Sequence, residues 1–410
     1  LREKCQFMSG VKLVKDYLCV NYTVNGGLNK QLVILEKGNV IPIDSINEVY
    51  SFEWFNDSLL LYCKENQMKR SDNLYCRNIL TGKDSLLFFE EDLTFDIEVS
   101  KTKSYAICSI QSQSENEIFM ADVKSDYPNF KQITKRKNDV VVHIKEFENR
   151  IYSLTNENAV NNKIGVYKDN RFVDVIPHST KTVIEDYIIK DGYMVIKSRR
   201  NSFTQVSFKA LNGSKWKKIE FKNDIFEVDF MSLKNDELKL FYSSIKAPGT
   251  IYKYDLKQEE LTELKTTKIG WEYKNDLSSV RSERLWVKSE DGVKIPMTLL
   301  KSVNPKRQHK GLILKAYGCY GSYGAGSSFS REDMILIQDG YTIVYAHVRG
   351  GGIMGGDWHT DGKLLNKTNT FKDYITCAEY LIDKDYTDKD HLVGNGVSAG
   401  GLLMGVVINE

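Results

Sequence analysis

The stretch Leu392-Val393-Gly394-Asn395-Gly396-Val397-Ser398-Ala399-Gly400-Gly401-Leu402-Leu403-Met404 decides how the chain is read. A short apolar run leads to a serine with glycine two places to either side, and an apolar, helix-forming run follows. Gly396-Val397-Ser398-Ala399-Gly400 fits G-x-S-x-G, the pattern of a nucleophile on a sharp strand-to-helix turn. Such a serine is held at φ > 0, and side chains two places away would strike neighbouring backbone, so glycine stands there. The helix beginning at Ser398 then aims its N-terminus at the reacting atoms, with the Ala399 amide free for a developing oxyanion. The pentapeptide by itself also recurs in ordinary glycine-rich loops, so its surroundings carry the decision.

Upstream, the surroundings have the right grammar. Leu285-Trp286-Val287-Lys288 and Val293-Lys294-Ile295-Pro296-Met297 flank Asp291-Gly292, a hairpin signal. Leu312 to Tyr317 reads as a strand after a polar loop from Asn304 to Lys310. Ser330-Arg331-Glu332-Asp333 opens a helix, and Tyr341 to Val348 is the next strand. Asn369 to Asp383 has helical apolar spacing and leads into the strand before Ser398. Hairpin, strand, helix, strand, helix, strand, nucleophile is the order of the first half of an α/β-hydrolase sheet. That order places a second oxyanion donor in the loop after Tyr317, Tyr317-Gly318-Cys319-Tyr320-Gly321-Ser322-Tyr323-Gly324, where a phenol can donate. A tyrosine packed under a glycine turn is the plainer alternative. Arg349-Gly350-Gly351-Gly352 looks like an oxyanion loop but follows the wrong strand, and reads as structural.

Before residue 270 the pattern is different. Tyr17-Leu18-Cys19-Val20, Leu59-Leu60-Leu61-Tyr62, Tyr105-Ala106-Ile107-Cys108, Ile151-Tyr152-Ser153-Leu154, Tyr193-Met194-Val195-Ile196 and Leu238-Lys239-Leu240-Phe241-Tyr242 are short apolar strands. They recur roughly every 41 to 46 residues, the period of β-propeller blades. A β-sandwich would show turn signals without this longer period. About six blades are countable, the first expected to be incomplete and a seventh to lie before Leu1. The break near Ile269-Gly270-Trp271 divides a β-propeller over 1–272 from a truncated α/β-hydrolase domain over 273–410. Lys197-Ser198-Arg199-Arg200 reads as a solvated loop.

Composition excludes several classes. The chain has 410 residues, 27% charged, with a formal net charge of +2, and its charges are interspersed, so no nucleic-acid face is indicated. No apolar run reaches the length of a membrane span, and no signal peptide is visible. Seven cysteines without C-x-x-C spacing argue for reduced, mostly buried thiols in the cytosol (a cytoplasmic protein) and against a metal framework. No cofactor is called for.

Taken together, Tyr317-Gly318 with its glycine-rich loop, Ala346-His347-Val348-Arg349-Gly350-Gly351-Gly352, Trp358-His359 with Gly362-Lys363, Asn366 to Tyr374, and Ser398-Ala399-Gly400-Gly401-Leu402-Leu403-Met404-Gly405 resemble the prolyl oligopeptidase family of serine peptidases. Within it they are most similar to the oligopeptidase B and prolyl endopeptidase-like branches. The resemblance implies a propeller capping an α/β-hydrolase domain. It implies Ser398 as nucleophile, with the Tyr317 hydroxyl and the Ala399 amide as oxyanion donors. Its substrates would be short peptides; an acyl ester or thioester is the rival, and a non-catalytic propeller adaptor with protein partners is the rival outside enzymology. Two positions depart from the family, Ile353 where Glu is usual and Val397 where Gly is common. Residues 399–410 hold no Asp or His, so an Asp–His pair is expected beyond Glu410 and residues 1–410 are expected to be an inactive fragment. His347, His359 and His391 precede the serine and read as packing or loop residues.

Overall fold

The computed structural model describes residues 5–24, 29–39, 41–268, 277–304, 309–323 and 326–410. The boundary expected at 272/273, residues 305–308 of the polar loop, and Gly324 lie outside the described residues. The chain packs as two compact units, one of Leu1–Asn158 with Lys163–Pro177, the other of Ala159–Asn162 with His178–Glu410.

The first unit contains four-stranded antiparallel sheets at 5–47, 49–89, 96–134 and 142–176, each with its strands in chain order. Position in the sheet explains composition. Leu59–Glu65, second in its sheet, is buried on both faces and is an almost unbroken apolar run, whereas Lys83–Phe89, fourth, is largely exposed and mixed. Leu61, Cys63, Leu74 and Cys76 pack against Ile97, Val99, Ala106 and Cys108, so one sheet covers the next. Asp169 and Asn170 both take positive φ, closing a two-residue hairpin whose twist matches its strands. The N-terminal sheet, where an incomplete blade was expected, has all four strands, Cys5–Val14, Tyr17–Val24, Asn29–Glu36 and Pro42–Asn47.

The second unit opens with two further sheets of this kind, at 183–219 and 226–266, which makes six blades of a β-propeller among the described residues. Here one reading fails. Lys197 to Arg200 is not a solvated loop but the end of the strand Tyr193–Arg200, with Arg199 buried. A run of cations reads as solvent-facing until its acids are found. Those acids, Glu185 and Glu227, sit on other strands.

The rest of this unit is the start of an α/β-hydrolase domain. Its five-stranded sheet has the order Val280–Lys288, Lys294–Ser302, Tyr341–Ala346, Gly311–Lys315, Leu392–Asn395. The first two strands form the hairpin; the last three run parallel to one another. The helix Arg331–Gln338 covers one face through Met334 and Ile337, which meet Leu300 and Ile343. Its cap is as expected, Ser330 Oγ accepting from the Asp333 amide. The helix Thr368–Asp383 covers the other face, with Tyr374, Cys377 and Leu381 packed on Leu299, Leu312, Leu314 and Val344. No helix among the described residues is long and apolar enough to cross a membrane.

Candidate active site

The strands Gly311–Lys315 and Leu392–Asn395 are parallel neighbours in register, Lys315 opposite Asn395, and the Ala316 amide extends the ladder by donating to Asn395 O at 3.1 Å. Parallel pairing forces both chains to leave the sheet at the same edge. Tyr317 therefore emerges two residues past Lys315, and Ser398 three residues past Asn395.

Ser398 has φ 55 and ψ −120, a conformation that L-residues rarely adopt, and the helix Ala399–Val407 starts directly after it. Its hydroxyl makes no capping bond and the residue is exposed. Ala399 supplies the first helical amide, one of the four without an intrahelical acceptor. The flanking glycines are spatial necessities: a Cβ on Gly396 would lie 2.3 Å from Gly400 O, and one on Gly400 would lie 2.8 Å from Ala316 O. That same ideal Cβ would be 3.5 Å from Tyr317 Cα, so bare backbone at Gly400 seats the elbow helix against the Tyr317 segment. A cavity of about 530 Å3 opens beside them, lined by Tyr317, Tyr320, Tyr323, His347, Ile353 and Val397, among others.

The Tyr317 loop rests on Arg349-Gly350-Gly351-Gly352. Gly321 N donates to Gly350 O at 3.1 Å, and Gly352 N donates to Ser322 O at 2.8 Å. The two backbones approach so closely that a Cβ on Gly350 would lie 2.1 Å from Gly318 O. This is the structural role expected for the glycine run. Lys367, the residue that caps the helix Thr368–Asp383, and two side chains on the same side of that helix complete the support. Lys367 Nζ donates to Gly318 O at 2.6 Å, Thr370 Oγ1 to Arg349 O at 2.8 Å, and Asp373 accepts from Arg349 N at 2.9 Å and Arg349 Nη2 at 2.6 Å. Their roles were missed. The available signal was the spacing 367, 370, 373, which puts them on one side of a helix.

Arg349 also donates to Asp291, Nη1 to Oδ2 at 2.5 Å. A hydrogen bond from the Ser289 hydroxyl first, and then Arg349, holds the Asp291 carboxyl down at about 2 against the ordinary 3.8. The folded state thus favours the ionised form, and the stabilisation exists above pH 4 and disappears as pH falls toward 2. The Asp291 side chain is 45% exposed, so solvent screening keeps the effect small. In denaturation at a series of pH values, the stability gap between wild type and Asp291→Asn should be constant above about pH 5 and close between about pH 4 and 2. A gap that persists at pH 2 would contradict this assignment.

Ile353 is 2% exposed and lies in the core cluster with Val348 and Trp358, an apolar solution at the position where a carboxylate is usual. Val397 is 70% exposed beside the cavity. The three histidines that most closely precede the serine in sequence each have a local partner. His347 is buried and shares a 2.7 Å hydrogen bond with Thr298 Oγ1; burial, with Arg284 and Arg199 nearby, keeps its basicity well below normal. His359 Nδ1 bonds Gly350 O at 2.9 Å, and exposed His391 pairs with Asp388. Among the described residues, no three His, Cys, Asp or Glu side chains are grouped to hold a metal ion.

Comparisons with known proteins agree with this architecture. Residues 31–267 match the sequence model described as "Prolyl oligopeptidase, N-terminal beta-propeller domain", and residues 327–410 match "Prolyl oligopeptidase family". "Protease 2" of Moraxella lacunata is 30% identical over 381 residues, covering 89% of this chain and 54% of that protein. "Prolyl endopeptidase-like" of Gallus gallus is 24% identical, covering 96% of this chain and 55% of that protein. The structure of oligopeptidase B from Leishmania major superposes with a TM-score of 0.87 at 22% identity, covering 99% of this chain and 60% of that one. The chain thus spans about half the length of the curated relatives it matches.

Proposed function

Since the chain belongs to the prolyl oligopeptidase family, we propose that the protein is a serine hydrolase working by acyl transfer on short peptides. The observation that carries the reading is the contact of Gly400 with Ala316 and Tyr317, which brings the elbow helix and the Tyr317 loop to one sheet edge. In this mechanism Ser398 Oγ attacks the substrate carbonyl. An Asp–His pair from outside residues 1–410 takes the serine proton and returns it to the leaving group. The Tyr317 hydroxyl and the Ala399 amide donate to the oxyanion of the tetrahedral intermediate. Without such a pair the hydroxyl is a weak nucleophile. We assign the protein to the cytosol because Cys19, Cys63, Cys76, Cys108, Cys319 and Cys377 are free thiols, all but Cys319 buried.

Labelling of the full-length protein with a fluorophosphonate tests the reading: a hydrolase labels, and a propeller adaptor does not. Comparing a dibasic peptide with an acyl thioester then separates peptidase from thioesterase, the rival on the same fold. Tyr317→Phe removes one oxyanion donor and leaves the ring in place. It should lower kcat about a hundredfold with little change in KM, since the bond forms fully only in the transition state. Unchanged kcat would reduce Tyr317 to packing.

A further inference from the structure

Beyond these roles, one side chain facing the same cavity is held from an unexpected direction. Tyr323 ends the segment that begins at Tyr317, and both line the cavity. Its ring stacks on the guanidinium of Arg199, 4.8 Å from carbon to ring centroid. The Arg199 side chain is 1% exposed, and two of its three nitrogens are held by acids: Nε by Glu185 at 2.6 Å and Nη2 by Glu227 at 2.9 Å. Those carboxylates stand on Val183–Lys190 and Phe226–Lys234, strands of two different four-stranded sheets. A guanidinium held through two of its nitrogens by two acids is restrained from rotating, and it presents a face that an aromatic ring accepts. The Tyr323 hydroxyl has no hydrogen-bond partner among the described residues, so the ring is what is held.

We propose that Tyr323, clamped by Arg199, is a positioning residue for the oxyanion donor Tyr317. The clamp is the third anchor of the segment, after Lys367 at the Gly318 carbonyl and the glycine run at Gly321 and Ser322. It ties the segment to a blade-type sheet. With Ala316 bonded to Asn395 on one side and anchors at 318 and 323 on the other, the segment has few ways to move, which restrains the phenol of Tyr317 relative to Ser398. The proposal rests on the hydrolase reading given above.

The test uses the full-length protein and a short ester substrate, with kcat, KM and melting temperature measured together. Tyr323→Phe keeps the stacking face and should behave as wild type. Tyr323→Leu removes it and should lower kcat about tenfold or more while KM stays within about twofold, as misplacement of a transition-state donor does. In a Tyr317→Phe background the Tyr323→Leu loss should vanish, because no hydroxyl is left to misplace. Arg199→Lys keeps the charge but not the planar face, and should reproduce the Tyr323→Leu effect without adding to it. Additive losses, a change confined to KM, or a lower melting temperature with unchanged kcat would each overturn the proposal. Undiminished turnover by Ser398→Ala would instead remove the hydrolase reading beneath it.

Discussion

Ser398→Ala in the full-length protein is expected to lower kcat by about 10^6, the cost of deleting a nucleophile whose partners then have nothing to activate. Folding should not suffer, because the hydroxyl is exposed and caps no helix amide. Ser398→Gly sharpens the test. At φ 55 and ψ −120 an L-residue stores strain of about 1–3 kcal/mol, which glycine releases. Glycine also loses more backbone entropy on folding, a cost of about 0.5–1 kcal/mol. Relief of strain outweighs that entropy loss, so Ser398→Gly should be inactive and more stable than wild type by about 1 kcal/mol in denaturant titrations. A protein that keeps a strained serine at a loss of stability is using it. Full turnover by Ser398→Ala, or destabilisation by Ser398→Gly, would mean that the elbow serves packing.

The elbow was legible because everything that makes it is local: strand, turn, helix and both glycines lie within thirteen residues, 392–404. The Tyr317 loop was legible for a related reason, since its place follows from the order of strands. Blades were countable because a strand covered on both faces must be apolar, and that signal recurs with each sheet. Pairings across the sheets were not legible. Arg199 sits in a run of cations, and its partners Glu185 and Glu227 are 14 and 28 residues away. Only the sheet registers bring them together, and register depends on which strands pair. Asp373 was hidden differently. It belongs to a helix whose apolar stripe continues through Tyr374, Cys377 and Leu381, and a buried carboxylate on that stripe makes sense only once Arg349 faces it.

Asp373→Ala should produce the largest loss of stability of any change near the site. Asp373 is 0% exposed and Arg349 is 4% exposed, and the carboxylate accepts from the Arg349 amide, Nε and Nη2. Removing one partner of a buried pair leaves the other charged and undersolvated, a loss of about 3–5 kcal/mol. The bond to half-exposed Asp291 cannot compensate, because exposed pairs contribute only about 0–1 kcal/mol. Arg349 cannot escape by deprotonating, because a guanidinium keeps its proton far above neutral pH with or without Asp373. Replacing both partners with apolar residues, Arg349→Met with Asp373→Leu, removes the orphaned charge and should recover much of the stability. It should not recover turnover. The bond from the Arg349 amide to Asp373 orients the start of the glycine run on which Gly321 and Ser322 rest, and leucine offers no acceptor. Denaturant midpoints and kcat should therefore separate in the double variant, stability returning while activity does not. If both return together, the pair is only a packing element, and the Tyr317 loop holds its place without it.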